Sequence, residues 1–242
     1  MQPPDCPEMT AIALDEPFEF GCHPGVPCFN HCCRDLNQAL TPHDVLQLRR
    51  HLGLSWASFV RDFADVHMGP STGLPVVSLQ FHAQAGRLCP FVTSRGCRVY
   101  VARPTSCRLY PLARALQRNR ADGRFSVHYA LLRESHCRGF EQPQRQTVRR
   151  WIADQQLAAG LAANDELMQL IVLKNQRRPG ALAPRQQQWA LMALYDLDTL
   201  KTSAGTLAAM GGADLGPPPD HRDDPGWLAW GLVWIQRALL DG

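Results

Sequence analysis

Eight cysteines carry the chemistry that can be read from this 242-residue chain. Cys22, Cys28, Cys32 and Cys33 fall within twelve residues, and Cys89, Cys97, Cys107 and Cys137 follow. Thiolates are soft ligands that suit zinc and iron–sulfur centres. All eight are therefore candidate metal ligands. Their spacing is C-x5-C-x3-C-C, then C-x7-C, then C after nine more residues, then a lone Cys137. A compact zinc knuckle is a tight turn that aims two thiolates at one tetrahedral ion. The chain has no C-x2-C pair, and its x3 and x4 spacings both run from Cys28 to the adjacent Cys32 and Cys33, which disfavours a single knuckle of that kind. Cys32 and Cys33 are adjacent and set out in different directions, so they serve either two metals or one metal through a strained turn. Eight thiols allow one four-thiolate iron–sulfur centre with spare ligands, or two separate sites. Spacing leaves iron and zinc both open.

Arginine follows four of these cysteines directly, at Arg34, Arg98, Arg108 and Arg138, with Arg95 and Arg103 nearby. Four thiolates around Zn²⁺ carry a net charge of −2. Guanidinium groups offset such charge, lower thiol pKa and donate N–H to sulfur. Two or three of the four are expected to face the thiols. His23 and His31 flank the first group. With eight thiols at hand they are read as loop or supporting residues rather than ligands. Cys6 stands apart, between Asp5 and Pro7, and is read as a free thiol.

The rest of the chain must position these groups. Net charge is +3 and the sequence pI is about 8.4. That is too mild for a nucleic-acid partner, which calls for a dense basic stripe. The N-terminus lacks the basic and apolar regions of a signal peptide. The most apolar segment, Trp227 to Leu240, contains Gln236 and Arg237 and is too short to span a bilayer. These features point to the cytoplasm, where cysteines are kept as thiols and metal binding is the leading use for them.

Residues 1–19 read as a flexible, Pro-rich arm. Residues 20–146 read as a cysteine-cluster metal-binding domain, and 147–242 as a helical region packed on it. Thr41, Pro42 and Asp44 open a helix with Val45, Leu48 and Leu52 on one face, closed by Gly53. Ser55 caps a second with Trp56, Phe59, Val60 and Phe63. Strand patterns occupy Val76–His82, Cys97–Val101 and Phe125–Leu131, with turns at 83–86 and 121–123. Thr147 caps a helix through Leu157 that ends near Gly160, and Asn164 caps the next. Residues 185–201 read as one helix and 211–226 as a linker. The last helix carries Trp227, Trp230 and Trp234 at i, i+3, i+7. This stripe is either core or the docking face for an unknown protein partner, and core is the commoner fate. The fold class is α+β, mainly α: an irregular metal-bound cysteine-rich core with a few short strands, then a helical C-terminal region.

Several stretches together resemble a known family: Cys22 to Asn37, Leu40 to Val45, Leu52 to Ser55, Gly73 to Val77, Cys89 to Val92, Gly96 to Tyr100, Arg103 to Pro111, Cys137 to Glu141, and Thr147-Val148. The combined pattern is similar to the YkgJ-type cysteine-cluster proteins, described as zinc- or iron-chelating, in a longer bacterial subgroup. The shorter form of that family has C-x2-C-x2-C-C, from which the first loop departs. The resemblance covers about residues 18–155 and leaves the Trp-rich third outside. It implies that Cys22, Cys28, Cys32, Cys33, Cys89, Cys97, Cys107 and Cys137 ligate an iron–sulfur cluster, 4Fe–4S before other forms, or zinc. The role expected is structural, redox or sensing. A flagellin lysine N-methylase resembles the same cysteine portion, which makes a protein-modifying enzyme one alternative. No strand precedes Gly205 to Gly212, so that stretch is a poor methyl-donor loop. A zinc-stabilised protein-interaction module is the other alternative. Enzyme status stays open, since no catalytic arrangement is legible.

Overall fold

The computed structural model describes residues 7–70, 72–83, 86–211 and 215–240; Cys6 lies outside them. Helix accounts for 44% and strand for 20%, which makes the class α+β with helix dominant. The chain divides into two compact units that interleave in sequence. One combines Met1–Leu36 with Phe81–Leu161, the other Asn37–Gln80 with Ala162–Gly242.

The first unit is built on a three-stranded antiparallel sheet in the order β1 (Glu8–Ile12), β9 (Phe125–Arg133), β8 (Leu112–Arg118). Residues 8–19 are therefore not a loose arm. Glu8 to Ile12 pair with Arg133 to Tyr129, and β2 (Pro17–Glu19) pairs with β10 (Arg145–Thr147). The arm reading failed because both partners lie more than a hundred residues away, where local composition carries no trace of them. Ile12, Phe18, Phe20, Leu109, Leu112, Leu131, Val148, Leu157 and Leu161 form the core. Phe20 is its centre, meeting Tyr110, Phe140 and Trp151 edge-on at 6.0, 5.1 and 5.7 Å. Burying one such ring contributes about 1.5–3 kcal/mol. Trp151 sits on α4 (Val148–Asp154), capped by Thr147 as expected, and its indole N–H donates to the Leu109 carbonyl at 3.1 Å.

The expected strand over 97–101 is mostly absent. Only β7 (Gly96–Cys97) forms, pairing with β6 (Val92–Thr93), and Tyr100–Ala102 turn into a 3₁₀ helix. Arg108 holds that turn by donating to the carbonyls of Tyr100, Val101, Arg103 and Gln155. Cys107 lies on the short α3 (Thr105–Leu109).

The second unit begins with β3 (Ala39–Leu40) and two helices that the sequence signals correctly. In α1 (Pro42–Leu52), Thr41 and Asp44 form a reciprocal capping box and Gly53 closes the helix at φ 66°. Ser55 caps α2 (Trp56–Phe63). A sheet of order β3, β5 (Pro75–Leu79), β4 (Ala64–Met68) follows. The chain passes from the first unit into the second along α5 (Ala158–Arg177). The helix expected from Thr147 through Leu157 ends at Asp154, and Gly160 and Asn164 both lie inside α5 rather than ending one helix and capping the next. Gly160 serves a close approach: a Cβ at this position would strike the Thr105 side chain.

The helix expected over 185–201 is two helices, α6 (Pro184–Leu194) and α7 (Leu197–Gly211). Asp196 makes the break by accepting from the Thr199 amide and hydroxyl, as an N-cap does. The final α8 (Asp224–Trp234) passes into a π-helical segment, Ile235–Leu240. Trp227, Trp230 and Trp234 are all buried. Trp234 packs edge-on to Trp189 at 6.1 Å and donates to the Leu207 carbonyl. The stripe is thus spent within the unit, and a partner could reach it only if this packing opened.

Candidate metal centre

All eight candidate cysteines fall in the first unit, although 115 positions of sequence separate Cys22 from Cys137. Each is a free thiol; Cys22 is exposed and the other seven are half-buried. The loop from Gly21 to Arg34 has no helix or strand of its own and is a run of turns. Successive amides close them: Val26 on His23, Phe29 on Val26, His31 on Cys28 and Cys33 on Asn30, at 2.9–3.0 Å. Asn30 takes a left-handed φ of 69°, which asparagine tolerates better than most residues. Its side chain donates to the Thr93 carbonyl at 3.0 Å. Phe29 lies against Gly96, where φ is 114° and an added Cβ would come within 3.3 Å of the ring. Glycine at 96 thus answers both a backbone and a packing demand. These contacts brace the first loop on the hairpin that carries Cys97.

Backbone pairing draws particular thiols together. The Cys89 amide donates to the Cys33 carbonyl at 2.9 Å, beside the Arg34–Leu88 bridge. Cys97 pairs with Val92, whose amide donates back to the Cys89 carbonyl. Gly21, next to Cys22, donates to Gly139 at 3.0 Å, two residues past Cys137. The Arg138 amide donates directly to the Cys28 sulfur at 3.1 Å.

Electrostatics reports the same neighbours. Crowding by protein atoms raises the Cys22 thiol to about 11, with Cys32, Cys28 and Cys137 adding to it and Arg103 opposing. Cys32 and Cys33 act on each other's thiol, which lowers Cys32 and raises Cys33; Cys89 and Cys107 raise Cys33 further. Burial raises Cys89, Cys97 and Cys137. Backbone amides oppose that rise: Phe91 and Val92 at Cys89, Val99 at Cys97, Gly139 at Cys137. An amide two residues past a cysteine, aimed at its sulfur, stabilises the thiolate form.

Of the four arginines that follow a cysteine, three lie near enough to feel a thiol's charge. Arg98 acts on Cys89 and Cys97, Arg108 on Cys97, and Arg138 on Cys28. Arg34 instead donates to the Gly86 carbonyl. Arg103 reaches the most thiols, acting on Cys22, Cys32 and Cys97. Its guanidinium also donates to the Cys107 carbonyl and lies over the Tyr100 ring. His23 uses Nδ1 to accept from the Gly25 amide at 3.2 Å, a turn role. His136 pairs with Glu134 at 3.7 Å.

Residue-by-residue reading of the sequence missed three contributors: the backbone donors, Tyr110, and Glu134, whose charge opposes a thiolate at Cys32. The Tyr110 hydroxyl is buried without a partner at full hydrogen-bond geometry. Burial raises its pKa, and it stands beside Cys137 as a donor to that sulfur. A thiolate at Cys137 gives this orphaned group an acceptor. The only sequence signal for the donors is Gly139, placed two residues after a cysteine.

Among the described residues, no three His, Cys, Asp or Glu side chains stand ready-made as a metal-binding group. The thiols are neighbours that act on one another, not a closed coordination shell. The donor set nevertheless fits a thiolate-bound metal: soft ligands, amides aimed at sulfur, guanidinium groups beside them, and an unpaired hydroxyl. Closing a shell requires loss of thiol protons and rotation of side chains, so binding is coupled to pH and to local order.

No curated protein and no solved structure matches the chain. A family model does: the CxxCxxCC family, described as a "putative zinc- or iron-chelating domain", matches residues 21–147. That span is more than half of the chain and holds every one of the eight cysteines. The chain belongs to the CxxCxxCC family.

Proposed function

We propose that this is a metal-binding protein of the YkgJ-type subgroup. It holds an iron–sulfur cluster or zinc through Cys22, Cys28, Cys32, Cys33, Cys89, Cys97, Cys107 and Cys137. The observation that carries the reading is the gathering of eight free thiols into one unit, with amides and guanidinium groups set against their charge. Four-thiolate sites suit tetrahedral zinc and 4Fe–4S clusters alike, and we place the iron–sulfur form first. The role is structural, redox or sensing. Free thiols in this number fit a reducing, cytoplasmic setting, and no helix among the described residues is long and apolar enough to cross a membrane.

No specific observation favours the enzyme or the interaction module. Residues 205–211 belong to helix α7, and Trp227, Trp230 and Trp234 are buried. The enzyme reading would return if calorimetry detected binding of S-adenosylmethionine.

The test is metal analysis with a visible spectrum on protein purified without oxygen. Iron with acid-labile sulfide and a brown colour supports the cluster. A colourless protein with stoichiometric zinc removes the iron form and keeps the metal reading. Absence of both metals overturns it.

A further inference from the structure

We propose that the eight cysteines form two four-thiol sites that meet at the Cys32–Cys33 pair: Cys22, Cys28, Cys32 and Cys137 in one, Cys33, Cys89, Cys97 and Cys107 in the other. This rests on the metal reading above and goes beyond it in the number and composition of the sites.

Backbone geometry makes the division first. Cys22 and Cys137 are held together by the Gly21–Gly139 hydrogen bond, and Cys28 joins them through the Arg138 amide at its sulfur. Cys33 and Cys89 are tied by the Cys89 amide, and Cys89 and Cys97 by the short hairpin. The sulfur neighbours divide the same way. Cys22 has Cys32, Cys28 and Cys137 as its thiol neighbours, and Cys137 has Cys28. Cys33 senses Cys89 and Cys107, and Cys97 acts on Cys89. Cys32 and Cys33, adjacent in the chain and each acting on the other's thiol, join the two sets.

Chemistry agrees with the count. Zinc or a 4Fe–4S cluster closes its shell with four protein thiolates, so a gathering of eight supplies two shells with none to spare. Two such shells place net negative charge close together. Arg103 faces both, acting on Cys22 and Cys32 from one set and Cys97 from the other. Adjacent cysteines are the economical junction, because one short segment then orders both sites. The bridge at Arg34 begins extended pairing with Leu88. It thereby commits Cys33 to the Cys89 side, while Cys32 is still within the turns of the first loop.

The test uses the full chain, stripped and reduced under argon, with Co²⁺ as the probe. Tetrahedral thiolate-bound Co²⁺ is read from its absorption. Two equivalents are expected. The double variant Cys28→Ser/Cys137→Ser should bind one, half the wild-type amount, and so should Cys89→Ser/Cys97→Ser. Within the adjacent pair, Cys32→Ser should weaken the equivalent lost in the first double variant, and Cys33→Ser the other. A single equivalent in the wild-type chain overturns the two-site assignment, and this outcome needs no variant to fold. So does loss of all binding in either double variant that keeps the wild-type far-ultraviolet circular dichroism. No uptake of Co²⁺, together with no metal in the isolated protein, removes the metal reading itself.

Discussion

The two units keep their order by different means. The second buries Trp234, Phe59, Leu48, Leu194, Leu200 and Ile235 almost completely and joins them through helices with clear caps. The first has a comparable aromatic core around Phe20, but most of its cysteine segments lie outside regular structure, Cys97 in β7 and Cys107 on α3 being the exceptions. Seven of their thiols stay half-buried and the eighth exposed. Packing thus accounts for the helical unit without a ligand. In the cysteine loops, turns, a few backbone pairings and the buried side chains of Val26, Phe91 and Val99 fix the positions of the thiols. The difference is what a metal-dependent segment within a self-sufficient frame requires: the frame sets the approach, and the ligand supplies the last constraint.

Removing metal should separate the two units most strongly. Chelation is expected to raise amide exchange across residues 20–36 and 86–108 by orders of magnitude, while α8 keeps its protection. Equal loosening of both units would break the comparison.

Next come single ligands. Cys32→Ser and Cys107→Ser should lower metal content and soluble yield, while Cys6→Ser does neither. Equal loss in all three would mean that the ligand assignment is wrong.

The converse change leaves metal alone. Trp234→Ala should cost about 3–5 kcal/mol, the usual range for emptying a buried aromatic site, read by denaturant unfolding. Metal per folded chain should be unchanged.

The smallest effect lies at Asp198, which Arg49 contacts at 2.5 Å and the Trp56 amide at 2.9 Å. Burial pushes its pKa up, but these two donors outweigh burial and hold it below the usual value. Its contribution is therefore present above the unfolded value of about 3.9 and fades as pH falls through the lower folded value. Since the carboxylate is half exposed, Asp198→Asn should cost about 1 kcal/mol or less at neutral pH. The difference from wild type should vanish in acid. A constant difference down to low pH would contradict the assignment.

What the sequence made legible was local. Thr41, Asp44, Gly53, Ser55 and Thr147 act within one helical turn of themselves, so helix starts and one stop could be read directly. What it hid was distant or dual in purpose. β1 and β2 need partners beyond residue 125. Gly160 looks like a terminator but makes room for Thr105 inside a helix. Asp196 looks like one more polar helix residue but caps the next helix. At the site, residue type named the thiols, but the order in which they neighbour one another follows from hydrogen bonds such as Gly21–Gly139. No spacing rule contains these. Arg108 follows a cysteine and was expected as counter-charge; it fills that role at Cys97 while also pinning four carbonyls.

The central claim is that these eight cysteines, and not Cys6, hold the metal. Alkylation of the native full chain, mapped by mass spectrometry before and after metal is stripped, tests it residue by residue. The account predicts that the metal-loaded protein is labelled at Cys6 alone and that the other eight become reactive once the metal is removed. Equal labelling of the eight in both states would contradict it.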